Sequence, residues 1–319
     1  MKKMTDATSS RAAPTEQGVL RFSIAMTFVL AVVGIGFGIA SGAASIIFDG
    51  IYSLIDASMT AVALVVSMLI TQTMAERRQA RLAHRFTMGF WHLEPMVLGV
   101  NGVLLTGAAL YALVTAVSSL LSGGRELDFG QAILYAAIVV VVAALMALKN
   151  RRANRTIRSS FVALDVKGWT MSAALTGALL AAFLFGWLIQ GTALDWMSPY
   201  VDPAILALVC LVMLPLPIPT IRRALADILL ITPPEMKARI DSIAAEIAAR
   251  HGFTDHRAYV ARVGRGRQIE LFFIVPRGAP ARPLEEWDAI RDEIGEAIGG
   301  ESPDRWLTIA FTTDPEWAD

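Results

Sequence analysis

Residues 41–70 read SGAASIIFDGIYSLIDASMTAVALVVSMLI, an apolar run interrupted by two carboxylates, Asp49 and Asp56. About 20 such residues suffice to cross a bilayer as a helix, so the stretch predicts a membrane span with acid in its interior. An ionised carboxylate at the centre of a span costs about 2.5–3.5 kcal/mol or more, and therefore faces a partner, a cavity or a cation. Seven residues make almost two helical turns, which puts Asp49 and Asp56 on one stripe with Tyr52 between them. Three oxygen-bearing side chains on one face suit a hard or borderline cation that exchanges its water for protein oxygens. The competing reading is a polar patch that only fastens helices together.

Working outward, the whole chain has the same character: 319 residues, 55% apolar and only 18% charged, with a mean hydropathy of +0.54. Such a composition excludes an ordinary soluble domain. Apolar runs predict six spans, at about 20–41, 43–72, 93–121, 129–148, 160–189 and 199–221, with a third carboxylate, Asp165, at the start of the fifth. Basic residues are retained on the cytoplasmic side of membrane ends. They cluster before the first span, between the second and third (Arg77, Arg78, Arg81, Arg85), between the fourth and fifth (Lys149, Arg151, Arg152, Arg155, Arg158) and after the sixth (Arg222, Arg223). The intervening connections are almost free of them. This alternation predicts an even number of spans with both termini cytoplasmic, in the cytoplasmic (inner) membrane.

Residues 1–18 are polar and aperiodic and read as a disordered cytoplasmic leader. A cleaved signal peptide is the rival reading of the first span, but the run is long for one and its removal would break the charge alternation. Residues 19–231 form the predicted transmembrane domain. The single cysteine, Cys210, lies within the sixth span, which excludes an intrachain disulfide and suggests an apolar filler.

From Thr232 the pattern changes. Thr232-Pro-Pro-Glu235 has the form of a capping box, and Met236, Ile240, Ile243 and Ile247 recur at helical spacing up to His251-Gly252. Two strand-like runs, HRAYVARV and QIELFFIV, flank a GRGR turn; the helical run PLEEWDAIRDEIGEAIGG and a final strand, RWLTIAFT, complete an α-β-β-α-β order. Residues 232–319 therefore predict a small ferredoxin-like α+β domain in the cytoplasm. Its short sheet leaves an edge and a face to cover, which pairing of two copies would do. Metal binding by the domain is a weaker expectation, because His251 and His256 are its only histidines and it has no cysteine.

Six spans, acid on the second and fifth, and an α-β-β-α-β tail resemble the cation diffusion facilitator family of divalent-metal transporters. FDGIYSLIDASMTAVAL (48–64) resembles the family's second-span motif and LDVKGWTMSA (164–173) its fifth-span motif. Asp202-Pro203 and Leu93-Glu94-Pro95, which open the sixth and third spans, are similar to family positions too. The resemblance implies a metal site at Tyr52 and Asp56 of the second span and at Gly168 and Ser172 of the fifth. A phenol, a hydrogen and a hydroxyl thus stand where the family has stronger ligands, which argues against a tight tetrahedral zinc site. Asp49 and Asp165 are expected to supply the missing charge, and Asn101 an amide oxygen. An all-oxygen set favours Mn²⁺, Fe²⁺ or Mg²⁺ by hardness, although affinity order does not exclude Zn²⁺.

The connection RLAHRFTMGFWHLEP (81–95) carries His84, His92 and Glu94, a candidate peripheral cation site, while Phe90 and Trp91 suit a membrane-boundary belt. The expected function is efflux of a divalent cation, exchanged for protons at the same carboxylates, by a homodimer in the lipid bilayer. No resident cofactor is expected, since the metal is cargo. A non-transporting partner of a fuller paralogue and a membrane-anchored sensor are the alternatives. No P-loop, HExxH or nucleophile–base pattern suggests an enzyme, and membrane topology accounts for the arginine clusters without nucleic acid.

Overall fold

A computed structural model describes residues 15–75, 90–157, 160–302 and 304–319. The predicted leader falls mostly outside them. Helix α1 (Glu16–Ser41) starts at Thr15, whose hydroxyl accepts the Gly18 N–H at 3.2 Å, and ends at Gly42 in the left-handed conformation. It is followed by α2 (Ala44–Ala75), α3 (Leu93–Leu121), α4 (Phe129–Ile157) and α5 (Ser160–Ile189). A 3-10 turn at Asp195–Tyr200 leads into α6 (Val201–Met213) and α7 (Ile218–Ile228). Six segments among the described residues are long and apolar enough to cross a membrane.

The sixth span differs from its expected form, a single helix over 199–221. It breaks between Met213 and Ile218, across Leu214-Pro-Leu-Pro217. Pro215 and Pro217 have no N–H to continue the helical ladder, and each ring crowds the preceding turn, so the helix stops and restarts.

The chain divides into two compact units. One takes in the chain up to Ser58 together with Leu104–Leu216. Its interior is built on alanine and glycine, which let helix backbones approach. Ala43, just before α2, and Ile46 of α2 pack with Phe129, Ala132 and Tyr135 of α4 and Phe183 of α5. Phe48 of α2 packs with Ala109, Ala112 and Ala116 of α3 and with Leu206 and Cys210 of α6. A side chain on Gly50 would approach the Ala31 carbonyl oxygen to 2.9 Å, so glycine is what lets α2 lie on α1 there. The outward faces are apolar: Val32, Ile39, Leu110, Val114 and Leu145 are all more than half exposed, as lipid-facing side chains are.

The other unit comprises Met59–Val103 and Pro217–Asp319. Helix α8 (Pro234–His251), strands β1 (Asp255–Val263) and β2 (Gly266–Ile274), helix α9 (Leu284–Ile298) and strand β3 (Arg305–Thr312) realise the expected α-β-β-α-β order. β2 is central, antiparallel to β1 and parallel to β3. Ile240, Ala244 and Ile247 of α8 and Ile290, Ile294 and Ile298 of α9 recur every three or four residues and bury one sheet face through Val260, Ile269, Leu271 and Phe273. Thr232 does not act as a side-chain cap; Pro233 occupies the N-cap position of α8.

Phe90 and Trp91 correct a second expectation. They are only 6% and 8% exposed, packed with Val66, Leu93, Val97, Val263 and Trp306, and do not form a membrane-boundary belt. The reason is the β1–β2 turn. Gly264 and Gly266 lie against Trp91 so closely that a side chain at Gly266 would meet its ring at 2.8 Å. Two ion pairs join the same region, Arg265 to Glu94 and Arg262 to Asp227, each at 2.9 Å.

Candidate cation site

Helix direction sets the geometry. The Asp128 N–H at the foot of α4 donates to the Ser41 carbonyl at 2.9 Å, and the Arg125 N–H donates to the Pro199 carbonyl at 2.8 Å. The Asp202 carboxylate accepts from the Ala44 and Ser45 N–H groups at 2.9 and 3.1 Å. The beginnings of α2, α4 and α6 and the end of α1 therefore lie at one end of the bundle, and α5 reaches that end through its short link to α6. Helices α2 and α5 run antiparallel.

Tyr52 of α2 and Leu175 of α5 pack against one cluster, around Phe48, Ala109, Ala112, Leu206 and Cys210. Ser172, three residues before Leu175, shares its face and like it is half-buried. At 1.5 Å per residue, Asp56 lies about 6 Å beyond Tyr52 and Ser172 about 4.5 Å before Leu175, both displaced away from the laced end. Asp56 thus lies one turn from Tyr52 along α2, and Ser172 one turn from Leu175 along α5. Gly168, one turn further, has open space where a side chain would stand.

The two other carboxylates fall elsewhere. Asp49 is about 10.5 Å along the axis from Asp56, and Asp165 is as far from Ser172; an ion bound at about 2.0–2.6 Å cannot span such distances. Asp49 lies near the Tyr135 phenol of α4. Asp165 sits in a polar cluster, where its Oδ2 accepts from the Ser23 hydroxyl at 2.7 Å and from the Asn150 amide at 2.6 Å. Ser23 also accepts from Asn150 at 2.9 Å and from the Trp169 indole at 2.8 Å. The cluster ties α1, α4 and α5, with Asn150 1% and Ser23 2% exposed. Asp165 accepts hydrogen bonds from α1 and α4, while the nearby Lys167 is exposed.

Of the peripheral set, His84 lies outside the described residues, His92 is exposed, and Glu94 is engaged by Arg265. No three His, Cys, Asp or Glu side chains converge as a metal cluster among the described residues. Any cation at Tyr52, Asp56 and Ser172 would be held by one carboxylate, weaker oxygens and water. The sequence reading missed the roles of Ser23, Asn150 and Trp169, which belong to three different helices, and that of Asp202. Only Asp202 carried a signal, as a carboxylate opening an apolar span.

Six membrane-crossing helices with carboxylates inside them, followed by a small α+β domain, define an integral membrane protein of the metal-transporter class. The chain belongs to the cation diffusion facilitator family: the cation efflux transmembrane domain matches residues 20–229. This is a family of metal cation efflux transporters rather than enzymes, with metal as substrate. No curated protein matches the chain significantly.

Proposed function

We propose that the protein exports a divalent cation of the manganese or iron class from the cytoplasm in exchange for protons, as a homodimer in the cytoplasmic membrane with both termini inside. Affinity order admits zinc as an alternative cargo. The observation that supports this reading is that Tyr52 and Leu175 pack against one buried cluster, with Asp56 a turn beyond Tyr52 on α2 and Ser172 a turn before Leu175 on α5. A carboxylate holds either a cation or a proton, and that competition couples the fluxes. Oxygen donors suit hard cations. In this scheme Tyr52, Asp56 and Ser172 hold the ion, and Asp165 and Asp49 carry negative charge about two turns to the inner and outer side. His84, His92 and Glu94 form at most a weak peripheral site. Alternating access would tilt α2 and α5 against their neighbours.

The test is Mn²⁺ uptake into inside-out proteoliposomes with and without a pH gradient. Uptake that rises with an acidic lumen and alkalinises it supports antiport; uptake indifferent to the gradient contradicts it. A second reading, a non-transporting partner of a fuller paralogue, is favoured by the open space at Gly168 and the hydroxyl at position 172. It predicts no flux from the protein alone and flux on co-reconstitution.

A further inference from the structure

We propose that Asp202 is a positioning residue, the anchor that sets the height and rotation of α2 and thereby places Tyr52 and Asp56; the inference rests on the transport reading above.

Asp202 is in the first turn of α6 and is 1% exposed. Its Oδ2 accepts the Ala44 N–H at 2.9 Å, and its Oδ1 accepts the Ser45 N–H at 3.1 Å and the Ser45 hydroxyl at 2.5 Å. Ala44 and Ser45 are the first two residues of α2. The opening amides of a helix have no partner within it, and a carboxylate there meets both the free N–H groups and the positive end of the helix dipole. A cap normally comes from the residue just before its helix. Here it comes from 158 residues away, so capping and helix-to-helix fastening are one interaction.

Three bonds in different directions to one buried carboxylate fix more than an attachment point. Oδ1 and Oδ2 hold successive amides, so rotation of α2 about its axis or a slide along α6 would break at least one bond. Ser45 is 3% exposed, which denies water as a replacement. Phe48 packs on Leu206 one turn past Asp202, and Tyr52 on the same cluster one turn later. The anchored first turn therefore leads directly to the candidate ligands. The main-chain bonds from Asp128 to Ser41 and from Arg125 to Pro199 lace this end, and α2 is held into the lacing by Asp202. Motion of α2 during transport pivots here.

The test uses the full-length protein in detergent with Asp202→Asn, Asp202→Ala and Ser45→Ala. Hydrogen exchange by mass spectrometry over residues 44–52 reports the anchor, and calorimetric titration with Mn²⁺ reports the site. Both Asp202 variants are expected to exchange faster over 44–52 and to bind Mn²⁺ about tenfold or more weakly, since bonds to a charged acceptor are lost. Ser45→Ala keeps the two main-chain bonds and is expected to weaken binding roughly twofold. Unchanged exchange in Asp202→Asn overturns the anchor. Faster exchange with unchanged Mn²⁺ affinity overturns the positioning role and leaves a simple cap. If the Asp202 variants do not accumulate, Ser45→Ala decides: no change in either readout overturns the proposal. A wild-type protein that binds no Mn²⁺ overturns the transport reading and the positioning role with it. Sound wild-type binding that is indifferent to Asp202 overturns this inference alone.

Discussion

At the scale of single residues, two carboxylates of the apolar spans, Asp202 and Asp165, take hydrogen bonds from neighbouring helices. Asp56 is exposed beside the half-buried Tyr52. Neutralising Asp165 should therefore act on assembly as well as on transport. Asp165→Ala leaves the Asn150 amide with one acceptor fewer in a buried cluster, and is expected to lower stability by about 1–3 kcal/mol in a detergent melting assay. The fifth-span vacancies make a second prediction. Gly168 has room for a side chain, so Gly168→His with Ser172→Asp should shift the site toward nitrogen and carboxylate ligation. Zn²⁺ affinity by titration is expected to rise roughly tenfold or more over wild type; unchanged affinity would mean that positions 168 and 172 do not face the ion. The candidate stripe was legible because buried acid is costly and helical spacing is regular. The Asp165 cluster was not, because Ser23 and Asn150 are ordinary residues until two distant helices meet.

At the scale of elements, the β1–β2 hairpin holds the connection before α3. Trp91 is buried under Gly264 and Gly266, and Arg265 pairs with Glu94. Trp91→Ala is expected to loosen this docking by about 3–5 kcal/mol, as for other buried aromatics, and Glu94→Arg by about 1 kcal/mol. Hydrogen exchange of residues 260–268 reads both, and Glu94→Arg with Arg265→Glu should restore protection. The α8–α9 pair carries a pH dependence. Glu293 is held below the ordinary carboxylate range, first by its hydrogen bond with His251 at 2.8 Å and also by Arg250, against a desolvation that raises it. Because the folded value is the lower one, this contribution is complete above the unfolded carboxylate range and is lost as pH falls through the folded value. Acid melting should show a drop there that Glu293→Gln abolishes. Element order in the tail was legible from period and turn signals. The break in the sixth span was written in Pro215 and Pro217 but outweighed by their apolar surroundings, and burial of Phe90 and Trp91 depends on a hairpin far along the chain.

At the scale of the whole molecule, the number of spans and the small C-terminal α+β domain followed from composition and periodicity, since a bilayer demands about 20 apolar residues per crossing. What the cation is, and how many copies act together, depends on contacts between distant residues and chains that no local pattern encodes. The account predicts that the purified protein is a dimer whose Mn²⁺ flux tracks the proton gradient. Its central claim is that Asp56, with Tyr52 and Ser172, holds the moving ion. The most direct measurement is Mn²⁺ flux in proteoliposomes carrying wild type or Asp56→Asn, matched for protein content and orientation. Flux is expected to fall to the protein-free background in the variant while its melting temperature and the exchange of residues 44–52 stay as in wild type. Wild-type flux from Asp56→Asn would contradict the claim.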